Sequence, residues 1–292
     1  MAPLNRLRRS LFVLQARGEY RWRRSTKWIR DRRRSRLAVP PATTVASEKV
    51  APGVLEIRLE GGERRNVLGR STIDRIEELV SHPPDGIKVL VITAVPPDFC
   101  AGYDLIEASQ GQAENLIALE DNFEELRRSR IPIVVALHGN VIGGGLELAL
   151  SADIRLASPE TKFSIPASKL GLVYSKGGIR LVVNAVGESV ARSLFLAGRD
   201  ISAESALTMG LVAEIVGREQ LRNRAVELAV QIASWSEVAV TGNRQILDAV
   251  VGRIDVDANE LHLGSFIPGG DLMKAIADFV ARRARSMRRV VE

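Results

Sequence analysis

Residues 131 to 158 read IPIVVALHGNVIGGGLELALSADIRLAS, and no other stretch restricts the fold so tightly. A continuous apolar run ends at His138-Gly139, three consecutive glycines (Gly143 to Gly145) stand directly before an apolar helical pattern, and DIRLAS returns to strand character. A short apolar run bounded by turn residues reads as a buried strand, and a helix set between two such runs reads as α/β structure. Glycine costs about 1 kcal/mol relative to alanine inside regular structure. The triplet therefore marks a place where something approaches the backbone, and Glu147 sets a carboxylate in the first turn of the helix that follows.

The same alternation runs on both sides. VLEIRLE (54 to 60), KVLVITA (88 to 94) and VAEIV (212 to 216) are further candidate strands. Ser71-Thr-Ile-Asp74 offers a capping signal before apolar Ile73, Ile76, Leu79 and Val80, and residues 114 to 129 carry another amphipathic stripe. Beyond about residue 217 strand signals stop and three helical patterns remain, the last with Leu272, Ile276, Phe279 and Val280 on one side. The expectation is an α/β core over 47–232 and a C-terminal helical assembly region over 233–292. No apolar run reaches the roughly 18 to 20 residues of a membrane span.

Charge divides the chain at its N-terminal end. The net charge of +6 hides a leader, residues 1 to 40, with 13 Lys/Arg against Glu19 and Asp31, while the remainder carries 28 basic against 33 acidic residues. Pro40-Pro41 and ATTVAS then read as a linker, giving a basic leader and linker over 1–46. An Arg-rich, acid-poor segment is compatible with organellar import, with a solvated tail, with a patch for anionic lipid or nucleic acid, and with upstream sequence from a misjudged start codon. Nucleic-acid binding is not expected as the main function, because the net-acidic remainder lacks a basic stripe interleaved with aromatics. A lone cysteine, Cys100, excludes an internal disulfide and suits an intracellular, cytoplasmic address.

Two glycine-containing turns follow strands: DFCAGYDL (98 to 105) and HGNVIGGGLEL (138 to 148). A turn leading into a helix leaves backbone N–H groups without intrahelical partners. Two such turns facing each other can hold one oxygen between two donors, as an oxyanion hole does. Tight packing between helix and strand explains the glycines equally well. His138 reads as structural, and His82 and His262 have no metal-ligand spacing.

IPIVVALHGNVIGGGLELALSADIRLASPETKF, with FCAGYDL, the earlier ERRNVL and the later GRDISAESALTMGLVAEIV, resembles the enoyl-CoA hydratase/isomerase family, the crotonase superfamily. The resemblance covers roughly residues 50 to 285. It implies a crotonase-like spiral of ββα turns with a C-terminal helical region, an acyl-CoA substrate, no cofactor beyond that CoA, and a homotrimer or hexamer. It also implies that the N–H groups of Tyr103 and Gly144 hold the thioester oxygen and that Glu147 is the first of two glutamates that activate water. Arg65, Asn66, Val67, Ala101 and Asp104 fall where the family lines its CoA groove, and Arg282 and Arg283 fall near the CoA phosphates.

The chain departs from the family pattern twice. Where hydratases carry the second glutamate after a proline, this chain has Pro166-Ala167, and where proline is usual it has Tyr174, before Ser175 and Lys176. A general acid or base is worth about 100- to 10,000-fold, so the loss bears on both hydration and isomerisation. The arrangement around Tyr174 resembles crotonase-type decarboxylases, in which Tyr174, Ser175 and Lys176 would suit an anionic acyl group. Three readings follow: a hydratase/isomerase-type enzyme, a carboxyacyl-CoA decarboxylase or hydrolase, and a non-catalytic acyl-CoA binder.

Overall fold

The structure, a computed structural model, describes residues 43 to 109, 122 to 252, 262 and 270 to 291, the last ten of these and residues 108 and 109 as backbone only. The basic leader, the first part of the helical stretch at 114–129, and the side chains of Arg282 and Arg283 lie outside the described residues.

Strands β1 (Thr44–Ala51), β2 (Val54–Glu60), β3 (Val89–Ala94), β4 (Ile133–Leu137), β5 (Asn140–Ile142), β6 (Ile154–Ala157), β7 (Lys162–Ser164), β8 (Ile201–Ser202) and β9 (Glu214–Ile215) form two sheets. The larger runs β1-β2-β3-β4-β6-β9 and the smaller β5-β7-β8. β1 and β2 pair antiparallel, and every other pairing in the larger sheet is parallel. After β4 the chain crosses to the smaller sheet at β5, returns through the helix Gly144–Ser151 to β6, and crosses again to β7. That stepping between sheets is the ββα spiral expected from the resemblance.

One expectation is corrected at the N-terminal edge. Thr44 to Ala46, read as linker, belong to β1, which pairs with β2 from Thr44↔Glu60 onward. The anchor extends one residue further, because the Thr72 hydroxyl donates to the Thr43 carbonyl at 2.7 Å. β-branched Thr44, Val45 and Val50 suit a half-buried edge strand, a preference that a reading for small polar residues overlooks.

Helix α1 spans Arg70–Ser81, α2 Leu105–Ser109, α3 Glu124–Arg128, α4 Gly144–Ser151, α5 Ala167–Leu170, α6 Lys176–Ala197, α7 Ala203–Thr208, α8 Arg218–Ala233, α9 Glu237–Val250 and α10 Asp271–Val291. α1 begins one residue before the expected cap: Gly69 precedes it without a side-chain cap, and Ser71 lies inside the helix. The last three helices fall on the three helical patterns read after about residue 217.

The larger sheet is buried on both faces, which is why its strands read as unbroken apolar runs. Ile133, Val135 and Leu137 of β4 face one cluster with Ile73, Ile76 and Leu148. Val134 and Ala136 face a second cluster, closed by Leu221, Ala225, Ala229 and Ile232 of α8. Two isolated bridges, Leu68↔Tyr103 and Cys100↔Val141, then pin the turn after β3 to the chain before α1 and to β5.

The second bridge explains Gly145. A Cβ there would lie 2.7 Å from both the Cβ and the carbonyl oxygen of Cys100 and 2.9 Å from its sulfur, so α4 reaches this turn only as glycine. Gly145→Ala is expected to destabilise the protein by about 1–3 kcal/mol, the usual result of overpacking. Gly242→Ala, in α9 with nothing within 4 Å of the added carbon, is expected to be neutral or stabilising. Urea midpoints of both variants check this.

Candidate active site

The turn after β3 and the start of α4 meet at one end of the spiral. Ala101 N–H donates to Arg65 O at 2.9 Å, Leu68 N–H to Gly102 O at 2.8 Å, and Asp104 N–H to Leu68 O at 2.9 Å. Tyr103 N–H lies between these ladder bonds and has no acceptor among the described residues. Gly144 N–H, the first amide of α4, has none either. Gly102, at φ +97°, brings the two segments together: a Cβ on it would lie 3.0 Å from Ile142 O and 3.7 Å from Gly144 N. Two unpaired amides on adjoining turns are the donors an oxyanion requires.

The glycine triplet has three separate reasons. Gly143 takes φ +52°, which side chains rarely adopt. Gly144 faces the Tyr103 ring, whose atoms would lie 2.7 to 2.8 Å from an added Cβ, and Gly145 faces Cys100. Packing inside the protein thus accounts for much of what a substrate approach was expected to explain.

Glu147 sits at 9% exposure in the first turn of α4. The Tyr103 hydroxyl donates to its Oε2 at 2.8 Å, and the Tyr174 hydroxyl lies near enough to the same carboxylate to favour its charged form. Tyr174 is held by packing: its ring meets Phe195 edge-on at 5.1 Å, and its hydroxyl lies 3.3 Å from where a Gly143 Cβ would be. Burial pushes the Glu147 pKa up, against the two hydroxyls and the nearby Arg127 charge. Burial, with the neighbouring Glu147 carboxylate, raises both tyrosine pKa values, so each phenol stays protonated and remains a donor.

The other expected residues share this end of the molecule but differ in what they offer. Asp104 ion-pairs with Arg64 at 2.6 Å and its Oδ1 accepts from the amides of Ile106 and Glu107, so its side chain is committed to the start of α2. Arg65 reaches back to Asp98. Asn66 is a buried staple whose amide donates to Val95 O and Asp98 O, each at 2.7 Å. Val67 and Ala101 are half-buried beside Tyr103. Ala167 is buried, with no carboxylate in the place the family pattern provides. Ser175, read as suited to an anion, accepts from Gly178 N–H as the cap of α6, which an N-terminal serine does readily. His138 is buried with its pKa lowered by that burial, in keeping with a structural role.

Sequence reasoning assigned Tyr103 only its backbone N–H; its hydroxyl contact with Glu147 was not foreseen. Asn122 and Arg127, next to the same carboxylate, were missed as well. No spacing signal links a five-residue helix to a carboxylate two strands later.

The family pattern of enoyl-CoA hydratase/isomerase matches residues 49–281. The chain belongs to that family. It is 30% identical over 201 residues to carnitinyl-CoA dehydratase of Proteus mirabilis, covering 67% of this chain and 77% of that one. Human enoyl-CoA hydratase domain-containing protein 3, mitochondrial, is 29% identical over 202 residues, 67% of this chain and 66% of its own. A monofunctional enoyl-CoA isomerase of M. smegmatis superposes with TM-score 0.62 at 27% identity, over 75% of this chain and 97% of its own. Among the described residues no helix is long and apolar enough to cross a membrane.

The raised Glu147 pKa fixes a sign. Between the ordinary value of 4.5 and its raised value the native state holds more protons than the unfolded chain, so this group's stabilising share is full below 4.5 and is lost as pH rises through the raised value. Glu147→Gln, which cannot ionise, is expected to melt progressively higher than the parent as pH rises through that window, with the smallest gain at its acid end. Thermal melts from about pH 4 to 8 check it; a constant difference would contradict the assignment.

Proposed function

We propose that the protein binds acyl-CoA thioesters and stabilises a thioester enolate between the N–H groups of Tyr103 and Gly144, with Glu147 as the one acid/base carboxyl, in a reaction of hydratase/isomerase type. The observation that carries this reading is the pairing of two amides that have no acceptor among the described residues with a buried carboxylate that accepts from the Tyr103 phenol and has Tyr174 nearby. In hydration, water loses a proton to Glu147 as its oxygen bonds to C3, and the electron pair of the double bond moves onto the thioester oxygen. Glu147 then returns the proton to C2. Tyr103 and Tyr174 orient the carboxylate and stabilise its charged form. Arg65, Val67, Ala101 and Asp104 line the CoA approach, chiefly through backbone, since the side chains of Arg65 and Asp104 are paired.

The chemistry uses no cofactor beyond the CoA of the substrate. Assembly as a homotrimer or hexamer, implied by the resemblance, is supported by the large apolar side chains exposed on α9 and α10, among them Leu247, Val250, Ile276 and Phe279. The mitochondrial relative and the Arg-rich leader support organellar import over a cytoplasmic address.

One observation favours a second reading. The Tyr174 hydroxyl stands beside Gly143 next to the proposed hole, and Ala167 removes the second base. That combination suits decarboxylation of a carboxyacyl-CoA, which needs enolate stabilisation without a strong base; hydrolysis, the other member of this reading, would use the same two amides for a tetrahedral oxyanion, with Glu147 taking a proton from the attacking water and the CoA thiol leaving.

Crotonyl-CoA, a 3-enoyl-CoA and methylmalonyl-CoA, offered in turn with products followed by mass, separate these readings. We expect gain of water or migration of the double bond, and a loss of about 100-fold or more in Glu147→Gln. Loss of carbon dioxide abolished by Tyr174→Phe would replace the first reading with the second, and binding without turnover would leave a non-catalytic acyl-CoA binder.

A further inference from the structure

The Tyr103 ring meets α4 at two points. Its Cε1, Cζ and Cε2 atoms would all lie 2.7 to 2.8 Å from a Cβ on Gly144, so the phenol end of the ring faces the Gly144 α-carbon broadside. The hydroxyl on that same end donates to Glu147 Oε2 at 2.8 Å. Gly144 and Glu147 stand three residues apart in α4 and therefore on one face of the helix. One flat ring thus covers the first turn of α4, from the unpaired amide to the carboxyl.

The ring is fixed at both ends. Leu68 N–H donates to Gly102 O and Asp104 N–H to Leu68 O, which clamps the backbone on either side of Tyr103. Swinging the ring away breaks the bond to Glu147 and leaves a carboxyl group at 9% exposure with one donor fewer. Tyr174 bounds the preceding residue in the same manner. Its hydroxyl lies 3.3 Å from where a Gly143 Cβ would be, its Cδ1 lies 3.1 Å from where a Gly178 Cβ would be, and Phe195 meets its ring edge-on at 5.1 Å. Neither ring retreats without breaking a contact.

An acyl group whose thioester oxygen sits on the amides of Tyr103 and Gly144 has C2 bonded directly to the carbonyl carbon, and C2 is the atom to which Glu147 returns a proton. C2 therefore passes along the span that the Tyr103 ring covers. An unbranched chain presents only hydrogens there, whereas a methyl group on C2 has to find room against a ring held by packing and by a hydrogen bond.

We propose that the Tyr103 ring is the specificity-determining wall of the site, favouring acyl-CoA thioesters that are unbranched at C2 over those with a substituent there. The proposal rests on the thioester reading above and adds the shape of the acyl group. Decarboxylation to a thioester enolate starts from a carboxylate on C2, so the proposal also favours the first reaction above over that one.

Butanoyl-CoA and 2-methylpropanoyl-CoA are isomers that differ only in where one carbon is attached. Titration calorimetry on the full chain is expected to show butanoyl-CoA binding at least about tenfold tighter, the scale on which a shaped apolar pocket discriminates one carbon. Tyr103→Phe keeps the ring and is expected to keep the ratio. Tyr103→Ala removes the wall and is expected to bring the ratio close to one by raising the affinity for 2-methylpropanoyl-CoA; Tyr103→Leu, a smaller loss of volume, is expected to move it the same way and serves if the alanine variant does not fold. Equal affinities in the parent protein would overturn the proposal. So would a ratio that survives in Tyr103→Leu, including one preserved because both ligands weaken alike, or a ratio lost in Tyr103→Phe, which would assign the preference to the hydroxyl. Failure of both ligands to bind the parent protein would overturn the thioester reading itself, a result distinct from a lost preference.

Discussion

The close meeting of two backbone turns, one after β3 and one at the start of α4, is the constraint from which the rest follows. Hydrophobic burial on both faces of the larger sheet fixes where the strands end, and the bridges Leu68↔Tyr103 and Cys100↔Val141 fix how the turns lie against each other. A side chain at 144 or 145 would meet the Tyr103 ring or Cys100 at less than 3 Å. Amides in such turns cannot pair with each other, and the burial that enforces the approach also keeps other acceptors out. The donors left over are thus a by-product of packing that chemistry can use.

The carboxylate beside them is governed by a contest between desolvation and hydrogen bonding. Burial disfavours the charged form of Glu147, while two phenols and the Arg127 cation favour it. Desolvation wins in direction, so the Glu147 carboxyl holds its proton to a higher pH than an exposed glutamate does. The phenols remain donors because the same burial keeps them protonated.

Legibility varied with the range of the interaction. The parallel strands could be read because burial on both faces writes itself into runs such as IPIVVAL, and the spiral and family followed from motifs confined to contiguous stretches. β1 was hidden because Thr44 to Ala46 look like linker, and the smaller sheet because two- and three-residue strands leave no periodicity to read. In the site, Gly144 and Glu147 stood out within one helix, and Tyr103 only as an amide. Its ring over Gly144 joins residues 41 apart, and its bond to Glu147 joins residues 44 apart. Asn122 and Arg127 come next to Glu147 through tertiary packing alone, which no local pattern records.

The central claim, that one thioester oxygen is held by both amides, is tested most directly by a crystal structure of the complex with butyryl-CoA. The account predicts the carbonyl oxygen within about 2.7–3.1 Å of both Tyr103 N and Gly144 N. A thioester bound elsewhere, or a Tyr103 ring lying between the two amides with the ligand in place, would contradict it.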